Sequence, residues 1–109
     1  MTDPVTASIE GTTGIIDLTR PEKFNCLSLD VHERITAARA DFEANPDIRA
    51  ILIRAQGKHF CTGADLTEVK GKLYNPAELD HFIAFGMENL RALETSSLPV
   101  VVAVQGLCL

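Results

Sequence analysis

The chain has 109 residues, ten of them lysine or arginine and fifteen aspartate or glutamate, so its formal charge is −5 with neutral histidines. This length predicts a single domain over residues 1–109. A content of 46% hydrophobic and 23% charged residues excludes a disordered or collagen-like chain. The acidic balance, without any basic cluster, argues against a nucleic-acid partner.

No apolar run approaches the roughly 20 residues of a membrane span. Without a secretory or transit signal at the amino terminus, we expect a cytoplasmic protein that does not enter a membrane.

The first part of the chain predicts a β-hairpin. Val5–Glu10 and residues 15–18 are β-prone, and the glycines of the intervening Gly-Thr-Thr-Gly at 11–14 permit the positive φ angles of a turn. Residues 20–25 follow as a polar loop, because Pro21 prevents the strand from continuing.

An amphipathic helix is predicted next, with Ser28 as its cap. Its apolar residues recur at helical spacing, and they are Val31, Ile35, Ala38 and Phe42. The helix must end before Asn45-Pro46. Residues 48–53 then form an apolar, β-branched run that is typical of a strand buried on both faces.

The second half predicts a short helical stretch from Leu66, a long helix and a last strand. The apolar stripe of the long helix consists of Leu79, Phe82, Ile83, Gly86, Met87, Leu90 and Leu93. We assign Met87 and the phenylalanines to the core. Ser-Ser-Leu-Pro at 96–99 stops the helix, and residues 100–104 predict another buried strand. The order β-β-α-β-α-β indicates an α/β fold with a mostly parallel sheet.

The last five residues form an apolar tail, although a buried parallel strand usually leads into a helix that covers its sheet. We therefore expect a truncated chain, the amino-terminal part of a larger protein. The alternative is a complete small domain whose tail packs on its own core.

Three cysteines, Cys26, Cys61 and Cys108, are too few and too widely spaced for a disulfide framework or a zinc site. We expect reduced thiols and no metal. His59 and Cys61 would share one face of an extended segment, so a nucleophilic pair is a second interpretation. No carboxylate that could orient such a pair is evident.

Residues 60–66, Phe-Cys-Thr-Gly-Ala-Asp-Leu, carry the clearest indication of chemistry. Gly63 and Ala64 let a substrate approach the backbone closely, and the first N–H groups of a following helix can bind an oxygen that becomes negative. A plain turn, with Asp65 favourably placed at the start of the helix, explains the same residues. The spacing alone leaves both interpretations open.

Taken together, the motifs resemble those of the enoyl-CoA hydratase/isomerase, or crotonase, family. The matching residues include Thr-Arg-Pro-Glu-Lys-Phe-Asn-Cys-Leu at 19–27, residues 57–66, and Leu-Pro-Val-Val-Val-Ala-Val-Gln-Gly at 98–106. The resemblance implies a crotonase-like fold of β-β-α units and an acyl-CoA substrate, as in fatty acid metabolism. It implies no cofactor beyond the coenzyme A of the substrate, and trimers or hexamers of the full-length form.

The resemblance also implies roles for individual residues. The backbone N–H of Ala64 would be one of two donors in an oxyanion hole that holds the thioester oxygen and stabilises an enolate. Lys23 would meet the phosphates of coenzyme A. The substrate-binding residues would be Lys23, Cys26, Gly63, Ala64, Asp65 and Leu66.

Two departures from the family pattern matter. Cys26 stands where the family often has alanine, and the second oxyanion donor and the proton-transfer glutamates would lie beyond Leu109. Hydration (a lyase reaction) or isomerisation is expected, while thioester hydrolysis and decarboxylation remain accessible to such a site. The glutamates that are present on predicted helices, Glu68, Glu78, Glu88 and Glu94, are expected to be surface charges. A non-catalytic α/β binding module and an inactive truncated remnant with exposed apolar surface are the alternatives.

Overall fold

The protein contains one four-stranded β-sheet among the residues that the structure describes. The structure is a computed structural model, and it describes residues 3–109. Strand β1 (Val5–Glu10) is antiparallel to β2 (Thr13–Leu18). Strand β3 (Ala50–Ala55) runs parallel to β2, and β4 (Val100–Val102) runs parallel to β3. The predicted α/β class and the mostly parallel sheet are confirmed.

The hairpin turn is shorter than predicted. Only Gly11 and Thr12 connect the strands, and Gly11 has a φ of 62°. Gly14, predicted to lie in the turn, instead pairs with Ile9 inside the sheet. A Cβ on Gly14 would lie 2.5 Å from the ring of Phe42, so this glycine lets a helix pack closely on the sheet.

Three helices follow from the local signals. Helix α1 (Leu29–Ala44) is capped by Ser28, whose hydroxyl accepts a hydrogen bond of 3.1 Å from the Val31 N–H, as predicted. Helix α2 (Leu66–Gly71) is short, and α3 (Pro76–Glu94) is long. In the part of the chain that the structure describes, none of these helices has the length and apolarity needed to span a membrane.

The core lies between α1 and one face of the sheet. Helix α3 packs on α1 through Phe82 and Gly86, both buried, and Asn89 of α3 bonds to His32 of α1. The buried core residues are Val5, Ile16, Leu18, Val31, Ile35, Ala38, Phe42, Ile48, Ile51, Ile53 and Cys61.

Two predictions about burial are wrong. Strand β4 ends at Val102, and its Val101 is 57% exposed, because no strand among residues 3–109 pairs with its outer edge. In α3, Phe82 is buried as predicted, but Met87 is 68% exposed together with Ile83 and Leu90. The apolar stripe of α3 is wider than the surface of α1 that it contacts, so only part of it reaches the core.

Candidate functional site

The predicted loop is held by strand-like pairing with an earlier segment. Leu27 forms a parallel bridge with Ala64. The Leu27 N–H donates to the Gly63 carbonyl at 2.7 Å, and the Leu27 carbonyl accepts from the Asp65 N–H at 2.9 Å. Both neighbours of Ala64 are therefore fixed in space.

The same pairing leaves the N–H of Ala64 free. In parallel pairing one residue bonds to the neighbours of its partner, so the partner's own amide faces the other way. The Ala64 N–H thus points away from Leu27, and within residues 3–109 it donates no hydrogen bond. Because Ala64 is exposed, its amide can donate to an oxygen of a bound molecule.

Ala64 lies in a cleft of about 520 Å³. The residues that line the cleft are Lys23, Cys26, Thr62, Ala64, Asp65, Leu66, Thr67 and Leu109. The structure thus brings together five of the six residues expected to bind substrate. Gly63, the sixth, lies beside the cleft but is not among the lining residues.

Leu109 reaches the cleft through pairing that no sequence pattern predicted. Cys61 forms a parallel bridge with Cys108. The Leu109 N–H donates to the Cys61 carbonyl at 3.0 Å. Thr62, by contrast, lies inside the predicted loop and Thr67 directly follows it, so both could have been included from their position alone.

Gly63 shapes the loop through its backbone. Its φ is 91°, in the left-handed region that favours glycine. A Cβ added to Gly63 would lie 3.5 Å from the Leu109 carbonyl oxygen, so a small side chain would fit. Any residue other than glycine would nevertheless be strained by the positive φ.

Asp65 is the cap of α2. Its carboxylate accepts from the N–H groups of Thr67 at 3.0 Å and Glu68 at 3.2 Å. These two amides of the first helical turn are therefore occupied, so at this helix start the structure favours the helix cap, one of the two interpretations that the spacing left open. The free donor, Ala64, comes one residue before the cap.

Cys26 presents a protonated thiol to the cleft. Partial burial raises the pKa of Cys26, and the charge and hydrogen bond of the neighbouring Asp65 carboxylate raise it further, while Lys23 opposes them. Lys23 is exposed at the end of a 3-10 turn (Pro21–Lys23), where its ammonium group is available to an anionic ligand.

A nucleophilic pair of Cys61 and His59 is not formed. Burial raises the pKa of the Cys61 thiol, whose sulfur accepts from the Gly63 N–H at 3.4 Å. The Nδ1 of His59 accepts from the Leu107 N–H at 3.0 Å. Cys26, Cys61 and Cys108 are all free in the part of the chain that the structure describes.

Glu68 is not the surface charge that we expected. It is half-buried, and its carboxylate accepts from the Leu29 N–H at 2.6 Å and lies 3.7 Å from the Lys72 ammonium. Glu68 thus caps α1 from α2 and is not among the residues lining the cleft. The other predicted surface glutamates are exposed, and they are Glu78, Glu88 and Glu94.

Comparison with known proteins adds an independent finding. The family model described as "Enoyl-CoA hydratase/isomerase" matches residues 8–109. A Mycobacterium leprae protein named "Probable enoyl-CoA hydratase echA8" is 37% identical over 97 residues, covering 88% of this chain and 36% of that protein. A Mycobacterium tuberculosis protein named "Probable enoyl-CoA hydratase EchA14" is 29% identical over 104 residues, covering 95% of this chain and 40% of that protein.

Solved structures agree with these sequence matches. The crystal structure of an enoyl-CoA hydratase from Polaromonas sp. JS666 matches with a TM-score of 0.87 and 28% identity. The match covers 94% of this chain and 40% of that one. The chain therefore spans about 40% of the length of such relatives, and every residue of the cleft lies within the matched region.

Proposed function

Because this chain belongs to the enoyl-CoA hydratase/isomerase family, we propose that it binds an acyl-CoA thioester, and that the whole protein is a hydratase or isomerase of such thioesters. The crotonase-like fold expected from the sequence is confirmed by the structural match. The single observation that carries the proposal is the free N–H of Ala64 in an open cleft.

The Ala64 N–H supplies electrostatic stabilisation. A thioester carbonyl that accepts this hydrogen bond gains negative charge as an enolate forms, and one such donor is worth roughly 3 to 4 kcal/mol in the transition state. An enolate allows either water addition to a conjugated double bond or migration of that bond. The groups that move protons decide between the two reactions.

Proton transfer is not the task of the cleft residues present here. No glutamate lines the cleft within the described residues, and its one carboxylate, Asp65, is already engaged as the cap of α2. The chain's own contribution is therefore to bind and polarise the thioester.

The remaining cleft residues bind the coenzyme A part of the substrate. Lys23 supplies a positive charge for its phosphates. Backbone groups of Cys26, Asp65 and Leu66 line the coenzyme A moiety, and Gly63 holds the loop that carries Ala64. The proposal requires no cofactor beyond the coenzyme A of the substrate. It places the protein in the cytoplasm, with residues 1–109 as one domain and the full-length form as a trimer or hexamer.

A pair of ligands tests the proposal. Hexanoyl-CoA has the thioester carbonyl, and S-hexyl-CoA has a methylene group in its place. Since one hydrogen bond contributes about 0.5 to 1.5 kcal/mol, calorimetry should show that the thioester binds about two- to twelvefold more tightly. Ala64→Pro removes the N–H and should abolish this preference, whereas Ala64→Ser keeps the N–H and should retain it.

Equal affinity of the wild-type chain for the two ligands would refute the role of Ala64. Failure to bind either ligand, or coenzyme A itself, would favour a non-catalytic module or an inactive remnant instead.

A further inference from the structure

Asn25 is a buried polar residue beside the cleft that the proposed function does not use. Its side chain is 3% exposed and accepts from the Arg20 N–H at 2.9 Å. Its amide nitrogen donates to the carbonyls of Gln56 at 2.9 Å and His59 at 3.2 Å. One side chain therefore ties residues 20–25 to the segment that leads into the Ala64 loop.

The backbone around Asn25 needs such a restraint. Phe24 and Asn25 both have positive φ, at 57° and 53°. Asparagine tolerates this conformation, but for phenylalanine it costs about 1 to 2 kcal/mol. The side chain of Phe24 is 55% exposed, so burial of its ring does not hold the conformation in place. The hydrogen bonds of this turn, with those of Asn25 among them, oppose its relaxation.

The segment that Asn25 restrains is also hydrogen-bonded to the loop that carries Ala64. The Phe24 carbonyl accepts from the Thr62 N–H at 3.2 Å, and two residues after Asn25 the bonds of Leu27 flank Ala64. The segment from 20 to 27 is thus held against the segment from 56 to 65 at three places, by the Asn25 side chain, by the Phe24–Thr62 hydrogen bond and by the Leu27–Ala64 bridge.

We propose that Asn25 is a positioning residue that fixes the direction of the Ala64 N–H toward the thioester oxygen. The inference rests on the proposed function, because it concerns the same hydrogen bond. Loss of the Asn25 amide frees the 20–27 segment to shift against the loop, and a small shift misaligns the donor.

Asn25→Asp is the sharpest test. The aspartate side chain still accepts from the Arg20 N–H, but it has no N–H to donate to the carbonyls of Gln56 and His59. Asn25→Gly is the second variant, since glycine accepts the positive φ at no steric cost while all three side-chain bonds are lost. Asn89→Ala is the matched control. Asn89 is also 3% exposed and bonded to His32 and Thr36, but it lies outside the cleft.

The readout is the ratio of the affinities for hexanoyl-CoA and S-hexyl-CoA, measured alongside the melting temperature. We expect the preference of the wild type, about two- to twelvefold, to fall to about onefold in both Asn25 variants, with S-hexyl-CoA still bound. Asn89→Ala should melt at a lower temperature and keep the preference.

The inference is overturned if a folded Asn25→Asp protein keeps the wild-type ratio, or if Asn89→Ala loses it too, because the ratio would then follow stability alone. It is also overturned if both Asn25 variants fail to fold, or lose both ligands, while Asn89→Ala binds normally. If the wild type itself shows no preference, the proposed function fails before the role of Asn25 is reached.

Discussion

Gly63 and Ala64 are adjacent residues with different tasks. The Ala64 N–H faces the cleft. Gly63 turns the chain with a φ of 91°, and its carbonyl accepts a hydrogen bond from the Leu27 N–H. A donor that is held on both sides by backbone pairing does not need to reorganise when a ligand arrives. The rigidity of the loop is therefore part of its proposed chemistry.

Gly63→Ala should destabilise the protein by about 1 to 2 kcal/mol, because alanine disfavours this backbone angle. It should also weaken hexanoyl-CoA binding. Gly71→Ala is the control, since a Cβ there meets nothing within 4 Å and its φ is not positive. Urea unfolding compares the two variants. If the Gly63 variant is as stable as the Gly71 variant, the strain argument is wrong.

His32 is a buried titratable residue between α1 and α3. Burial lowers the pKa of His32, although the charge of Glu68 opposes this effect. Its Nδ1 contacts the side-chain amide of Asn89 at 2.9 Å, and its ring packs edge-on to Phe82. Lys72 places its ammonium 5.3 Å from the centre of the same Phe82 ring.

Stability should therefore fall as the pH falls below about 6.5. The unfolded chain protonates His32 near that pH, whereas the folded protein does so only at lower pH, so the unfolded state binds more protons in between. Urea unfolding between pH 5 and 8 should show this slope in the wild type and a shallower one in His32→Gln. The exposed His81, changed to Gln, is the control. Equal slopes in all three proteins would contradict the assignment.

At the scale of elements, the sequence was most informative where the signal is local. The hairpin, the Ser28 cap, the length of α1 and the existence of α3 all follow from turn residues and helical periodicity. The exposure of Met87 and of β4 could not be predicted, because it depends on which other element reaches that surface. Gly14 was misplaced for the same reason, since its neighbour Phe42 is 28 positions away.

The candidate site divides in the same way. The segments at 19–27 and 60–66, through their resemblance to a known family, predicted five of the eight residues that line the cleft. Asn25 stood in the matching segment, but its side chain bonds to carbonyls 31 and 34 positions away, and such contacts leave no periodic trace in a sequence. Leu109 arrives by a bridge between distant segments, which is equally invisible.

At the scale of the whole molecule, one edge of the sheet is open. Val101, Val102, Leu107 and Leu109 are exposed at or near β4. No strand among the described residues pairs with the outer edge of β4. Open apolar edges promote association with other chains. The chain spans about 40% of the length of the matched relatives.

The isolated chain should therefore bind a hydrophobic dye and self-associate at micromolar concentration. Val101→Lys should reduce both, because a charge at an open edge disfavours pairing. Thr6→Lys places the same charge on the opposite edge strand, β1, and should have a smaller effect. Dye fluorescence and light scattering measure the two properties. A monomeric wild-type chain without dye binding would contradict this prediction.

The most direct test of the account follows the Ala64 amide itself by NMR during titration with the two ligands. Hydrogen bonding to a thioester oxygen should move the Ala64 amide proton downfield with hexanoyl-CoA and not with S-hexyl-CoA, while amides elsewhere on the cleft respond alike to both. If the Ala64 resonance responds identically to the two ligands, or does not move, the Ala64 N–H is not the donor and the proposed acyl-CoA chemistry of this cleft is wrong.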